Sequence, residues 1–332
     1  MKKQGIKRYR NPSQRLDKWG YLFITPFILV FLVFSLYPMV YSIVLSFIDE
    51  NYGSTIENFT ALSNYQLIFG ERQFWQSFLN TFIIFGMNFI PQIISALFFA
   101  VLFTNKRIRI KGKGFFQFVY FLPNIITATS VATLFLFLFD YSGLDADGIE
   151  RGGAFFEMFA LFGMARSTRL FNNVWTARII IAFIQFWMWF GNSMLVYIAG
   201  IKGISDEVYE AAEVDGAGSF RVFFSITLPI LKPIMLYSLI TSLIGGLQMF
   251  DIPFLIGGVK FKDGSGISGT MTITAYIYHF MKETEDYSIA AAASVILFLV
   301  SLSLSILMYF VFFKPKDYSK SVYRRMRKYE VR

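Results

Sequence analysis

Long apolar runs alternate with shorter polar connections along the whole chain. Six runs of roughly 20 or more residues stand out, at about 21–47, 78–103, 115–139, 174–199, 234–256 and 289–313. Each is long enough to cross a hydrocarbon core of ~30 Å as a helix. None shows the strict apolar–polar alternation that a membrane barrel would need. The pattern therefore predicts an all-α integral membrane protein with six transmembrane helices, the first bent at Pro26 and Pro38.

Charge orients this pattern. The stretch up to Lys18 has seven basic residues against Asp17 alone, and the connection after the second run has Lys106, Arg107, Arg109, Lys111 and Lys113 with no acid. The last run ends in a basic tail containing Lys314, Lys316, Lys320, Arg324, Arg325, Arg327, Lys328 and Arg332. By the positive-inside rule all three are cytoplasmic, giving an N-in/C-in topology. Residues 1–20 are then a cytoplasmic N-terminus, 21–47 the first helix, 78–313 a core of five helices, and 314–332 a cytoplasmic tail. The connection at 48–77, with Asp49, Glu50, Glu57 and Glu71 against Arg72, falls outside, with Asn64, Tyr65, Phe74 and Trp75 at the interface. So do 140–172, with a surface helix expected at 152–164, and a loop with Gly257, Gly258, Gly264, Gly266 and Gly269.

Composition narrows the chemistry. Of 332 residues 55% are apolar and 16% charged, and the mean hydropathy is +0.52. There is no cysteine, hence no disulfide or thiolate metal site, and His279 is the single histidine. Neither an H-E-x-x-H motif nor a P-loop occurs, so ATP hydrolysis and metal-dependent catalysis are not expected of this chain. The net charge of +9 resides at membrane boundaries, which accounts for it without nucleic acid.

One polar stretch breaks the pattern. Residues 209–229 read YEAAEVDGAGSFRVFFSITLP, within a connection, 201–232, that carries five acids and three bases although it faces the cytoplasm. Asp206, Glu207, Glu210 and Glu213 fit the first turns of a helix capped by Ser205 or Asp206. Gly216 and Gly218 end that helix, because glycine reaches positive φ without steric cost. A second short helix over 219–227 would present Phe220, Phe223 and Phe224, with Pro229 stopping it or opening the next segment. Two short helices meeting at glycine form an elbow, and its aromatics call for a partner.

The spacing of Glu210, Ala211, Ala212, Gly216, Ile226, Leu228 and Pro229 resembles the E-A-A-x3-G-x9-I-x-L-P loop of inner-membrane permease subunits of binding-protein-dependent ABC importers, matched at every defined position. Weaker similarities point to the carbohydrate branch of that family, that of the large maltose-transporter subunit. They are Trp19, Pro26, Tyr37, Pro38, Ser46 and Phe47; Asn64 and Tyr65; Leu79, Asn80 and Thr81; and GNSMLVYIAG at 191–200. One departure is Val259 after Gly257 and Gly258, where the family often has proline. The resemblance implies a type I importer fold in the bacterial cytoplasmic membrane. It also implies a second related permease subunit, two ATPases that hold the ATP and Mg, an external solute-binding protein and a sugar or oligosaccharide substrate. Glu210, Ala211, Ala212, Asp215, Gly216, Ala217, Phe220, Phe223, Ile226, Leu228 and Pro229 would couple to the ATPase, with 217–227 as the coupling helix.

Polar groups at membrane depth are costly unless they face a cavity or a partner. Gln185, Trp189 and Asn192 share one helix face. Ser238, Thr241 or Ser242, Gly245 and Gln248 make a second stripe, and Asn124, Thr127 and Ser130 a third. Amides and hydroxyls suit sugar hydroxyls, and aromatic rings suit the apolar sugar face; the alternative is that these groups only bridge helices. Asp251 is expected either to pair with Arg178 or to act at a gate. An importer of another solute and an ion-coupled secondary transporter remain as rivals, the latter lacking intramembrane carboxylates other than Asp251.

Overall fold

A computed structural model describes residues 13–48, 62–105, 108, 110–139, 141–144, 150–163, 170–257 and 269–312. Several charged positions used above lie outside the described residues: the N-terminal bases to Arg10, Asp49, Glu50, Glu57, Lys106, Arg107, Arg109 and the tail from Lys314. Gly258, Val259, Gly264 and Gly266 of the glycine-rich loop also lie outside.

The first apolar run is a single helical rod made of α1 (Ser13–Phe31), a π-helical turn (Leu32–Leu36) and α2 (Tyr37–Leu45). The wide turn directly precedes Pro38, whose ring crowds the carbonyl one turn back and which has no N–H to donate. Residues 20–35 are exposed, and α2 packs against α14 (Tyr287–Phe312). At its end Asn64 on α3 (Ser63–Gly70) donates to the carbonyls of Ser46 and Ile48, and Tyr65 meets the Ser46 hydroxyl at 2.8 Å. Asn64 and Phe74 are therefore core residues rather than interfacial ones.

The core is built on α4 (Arg72–Thr104) against α8 (Val174–Lys202). Small residues permit the close approaches. A Cβ at Gly191 would lie 2.0 Å from the Tyr120 carbonyl oxygen on α5 (Lys113–Ile125), and one at Gly246 would lie 2.2 Å from the Phe85 ring. The 115–139 run departs from expectation. It is not one helix but two, α5 and α6 (Ala128–Phe139), bent by 95° at Ile126 and Thr127. Thr127 makes the new start: its Oγ1 accepts the Ser130 N–H at 3.3 Å, and its carbonyl accepts that of Val131. The described residues thus contain five unbroken candidate spans and one broken one.

Beyond α6, strands β1 (Tyr141–Leu144) and β2 (Glu150–Gly152) form a small antiparallel hairpin, followed by α7 (Ala154–Leu161), inside the expected 152–164 helix. On the same side, α12 (Asp251–Gly257) and α13 (Ile273–Lys282) close over the bundle. Asn80 donates to the Met271 carbonyl, Thr81 accepts the Ile273 N–H, and the Tyr276 hydroxyl bonds Glu71. Burial first and then the hydrogen bond and charge of Glu71 push the Tyr276 phenol up.

Two apolar clusters stack along the bundle. One gathers Ile84, Ile181, Ile184, Leu243 and Leu247; the other, nearer the polar loop, gathers Ala96, Ala100, Met194, Tyr197 and Leu231.

Candidate functional site: a polar cavity joined to an exposed elbow

A cavity of about 460 Å³ opens beside the first cluster, whose Met188, Met249 and Ile252 help line it; its size is within the range typical of small-molecule sites (~300–1,000 Å³). Its wall carries six amide side chains: Asn88 and Gln92 from α4, Asn124 from α5, Gln185 and Asn192 from α8, and Gln248 just after α11 (Leu228–Leu247). Ser193, Thr241 and Ser242 add hydroxyls; Trp189 and Phe250 add aromatic surface. Gln185 is nearly buried, whereas Trp189 is 48% exposed and Asn192 and Gln248 are exposed, so the cavity is open along that side.

Of the seven pathway candidates, six line this one cavity: Gln185, Trp189, Asn192, Ser242, Gln248 and Asn124. Ser238 does not; it is buried one turn below Ser242. Thr127 and Ser130 bond each other at 2.9 Å at the α5–α6 break and are not in the wall of this cavity. The contribution of α4 was missed. Gln92 is 5% exposed, and its Nε2 donates to Ser193 Oγ at 2.9 Å and Ser242 Oγ at 3.2 Å, joining α4, α8 and α11 beneath the cavity. Asn88 and Gln92, four residues apart in the otherwise apolar stretch 82–94 of α4, were the available signal.

The pairing of Asp251 with Arg178 does not form. Arg178 donates to the Gly269 carbonyl at 2.9 Å and to Asn80 Oδ1, and its guanidinium lies 4.9 Å from the Trp175 ring centre. Asp251 instead stands exposed in the cavity wall.

The elbow follows α8. Ser205 is the N-cap of α9 (Asp206–Val214), without a side-chain capping bond. The helix ends in a Schellman turn: Gly216 has φ +69°, its N–H reaches the Glu213 carbonyl at 3.0 Å, and the Ala217 N–H reaches that of Ala212 at 2.9 Å. This explains why glycine stands four residues after Ala212, which is itself buried. The chain then enters α10 (Ser219–Val222), a π-helical stretch (Phe223–Thr227) and α11 without interruption. The second elbow helix therefore does not stop at Pro229; as in the first rod, a wide turn absorbs the proline, and the helix runs on into the membrane span.

The elbow's coupling candidates separate by exposure. Glu210, Ala211, Asp215, Gly216, Phe220 and Pro229 are exposed, Phe220 by 81%; Ala217, Phe223, Ile226 and Leu228 are half-buried. Phe224, 54% exposed, stacks near Phe220 with ring centres 5.7 Å apart, so these two, rather than Phe223, form the outward aromatic pair. Phe223 turns toward a second cavity of about 320 Å³, lined also by Thr104, Lys202, Asp206, Tyr209 and Thr227, beneath the elbow. Tyr209 and Thr227 bridge the two elbow arms at 3.3 Å. Among the described residues no group of three or more His, Asp or Glu is placed to hold a metal ion.

A multi-span helical bundle with a solute-sized polar cavity, and with an aromatic elbow on the helix that lines it, defines a membrane transport subunit. The chain belongs to the binding-protein-dependent transport system inner membrane component family, whose pattern matches residues 92–316. It is a multi-pass inner-membrane permease component. It is 30% identical over 311 residues to the lactose transport system permease protein LacF of Rhizobium radiobacter, covering 93% of this chain and 96% of that one. The trehalose/maltose transport system permease protein MalF of Thermococcus litoralis is 28% identical, with 88% and 92% covered. The fold is that of a type I importer permease. A crystal structure of a bacterial ABC transporter involved in the import of the acidic polysaccharide alginate superposes with a TM-score of 0.72, at 23% identity, covering 92% of this chain and 98% of that chain.

Proposed function

We propose that this chain forms the translocation path of an ATP-driven importer for a sugar or oligosaccharide. The observation that carries the reading is the cavity: six amides, three hydroxyls and two aromatic rings converge on one space large enough for a sugar. Relatives named for lactose and trehalose/maltose transport support it, as does one named for arabinooligosaccharides, AraP of Halalkalibacterium halodurans, 29% identical with 86% of this chain covered.

The chain itself does no chemistry; ATP and Mg bind a separate pair of ATPases. The outward Phe220–Phe224 pair inserts into an ATPase groove, and Glu210 reaches a basic residue there. A second permease subunit covers the open side of the cavity, completing the pathway, and an external binding protein delivers the solute. Both termini lie on the ATPase side.

The test is purification of the tagged chain in mild detergent from its native host, followed by reconstitution. Stoichiometric recovery of an ATPase and a second permease, with ATP-dependent sugar uptake, is the expected result. Uptake by the chain alone, driven by an ion gradient and independent of ATP, would replace this reading with a secondary transporter. Glu210→Ala is expected to assemble normally and to lower both uptake and its coupling to ATP hydrolysis several-fold; unchanged uptake would remove Glu210 from the coupling surface.

A further inference from the structure

The cavity's charge is more specific than its polarity. Among the described residues that line it, Asp251 is the one charged side chain, and none carries a positive charge. The nearest expected counter-ion, Arg178, is held by Gly269, Asn80 and Trp175 instead. Asp251 opens α12 and faces the space already walled by Gln248, Phe250 and the α8 amides. A carboxylate at the start of a helix is favoured by the helix dipole, which accounts for an acid there but not for its placement in the wall of the solute space. A carboxylate in the wall of the solute space repels an anionic solute and leaves a neutral polyol free to hydrogen-bond.

We propose that Asp251 makes this cavity a filter that passes neutral glycans and rejects acidic ones. This rests on the sugar-permease reading above. Gln248 and Asn192, exposed beside it, supply neutral donors and acceptors for hydroxyl groups, so selection against uronates is assigned to the one carboxylate.

The experiment compares the complete importer, reconstituted in liposomes with its own binding protein, as wild type, Asp251→Asn and Asp251→Lys. Uptake is measured for lactose, trehalose and arabinotriose as neutral probes, and for alginate and galacturonate trisaccharides as acidic ones. Because binding protein and ATPase are the same throughout, a change in the acidic-to-neutral uptake ratio from one variant to another isolates the permease. Asparagine keeps the side chain's size and hydrogen-bonding capacity, so that variant is expected to assemble and to raise the ratio several-fold; lysine is expected to raise it tenfold or more. Equal wild-type uptake of both classes, or an unchanged ratio in an assembled Asp251→Asn complex, would overturn the filter and leave the sugar reading intact. Failure of the wild type to carry any of the five, while it transports a non-sugar solute with ATP, would overturn both.

Discussion

The elbow and the cavity sit at opposite ends of one helix and are put together differently. At the elbow, the turn at Gly216 is closed by backbone bonds within one helical turn, and the tie between its two arms, Tyr209 to Thr227, spans 18 residues. Around the cavity, Gln92 reaches Ser193 and Ser242 across 101 and 150 residues. A locally built device keeps its shape when the bundle shifts around it; a cavity walled by several helices has no shape apart from their packing. Damage to the elbow should therefore uncouple the protein while leaving it folded, whereas damage to the helix contacts should deform the cavity and, where backbone must move, unfold the bundle.

The largest effect is expected at Gly191. A valine there would drive its Cβ into the Tyr120 backbone, which has no flexible end to move, an overpacking cost of about 1–3 kcal/mol or more. Yield of folded protein and melting temperature, read by fluorescence-detected gel filtration, should both collapse. Wild-type behaviour would mean that α5 and α8 do not touch there. Gly216→Val comes next, forcing a β-branched residue to φ +69°, at about 1–2 kcal/mol. The bundle should melt as before, while ATP-dependent uptake falls tenfold or more, and Gly216→Asn should recover part of it. If Gly216→Val lowered the melting temperature as much as Gly191→Val, the contrast between a local and a distributed site would be lost.

Gln92→Leu is expected to act in between. It leaves Ser193 and Ser242 without their shared donor, costing about 1–3 kcal/mol. Sugar uptake should drop several-fold, through a raised KM, with assembly maintained. Smallest of all, Ser238→Ala should change uptake by less than twofold, because Ser238 does not reach the cavity. A large KM effect there would redraw the wall.

The same contrast governs what could be read from sequence. The elbow was legible because Ala212, Gly216 and the following aromatics sit at spacings that backbone geometry dictates within a few residues. The α8 stripe of Gln185, Trp189 and Asn192 was legible because a 3.6-residue period is local too. Which stripes meet was not, since that depends on close approaches such as Gly191 on Tyr120 and Gly246 on Phe85, made between helices distant in sequence. Hence Asn88 and Gln92 went unnoticed. Thr127, read from sequence as part of a polar stripe, has a hydroxyl that caps a helix at a 95° bend, a role its spacing does not reveal. Of the two expectations for Asp251, the pair with Arg178 rested on charge alone, and three uncharged partners hold Arg178 instead.

The unbroken helical path from Ser219 to Leu247 has a mechanical meaning. At 1.5 Å per residue it is a rod of about 44 Å, and tilting it by about 10° around its middle would swing each end by about 4 Å in opposite directions. Such a rod is a rocker. A push on Phe220 and Phe224 would reach Ser242 and Gly245 as a displacement of the opposite sign.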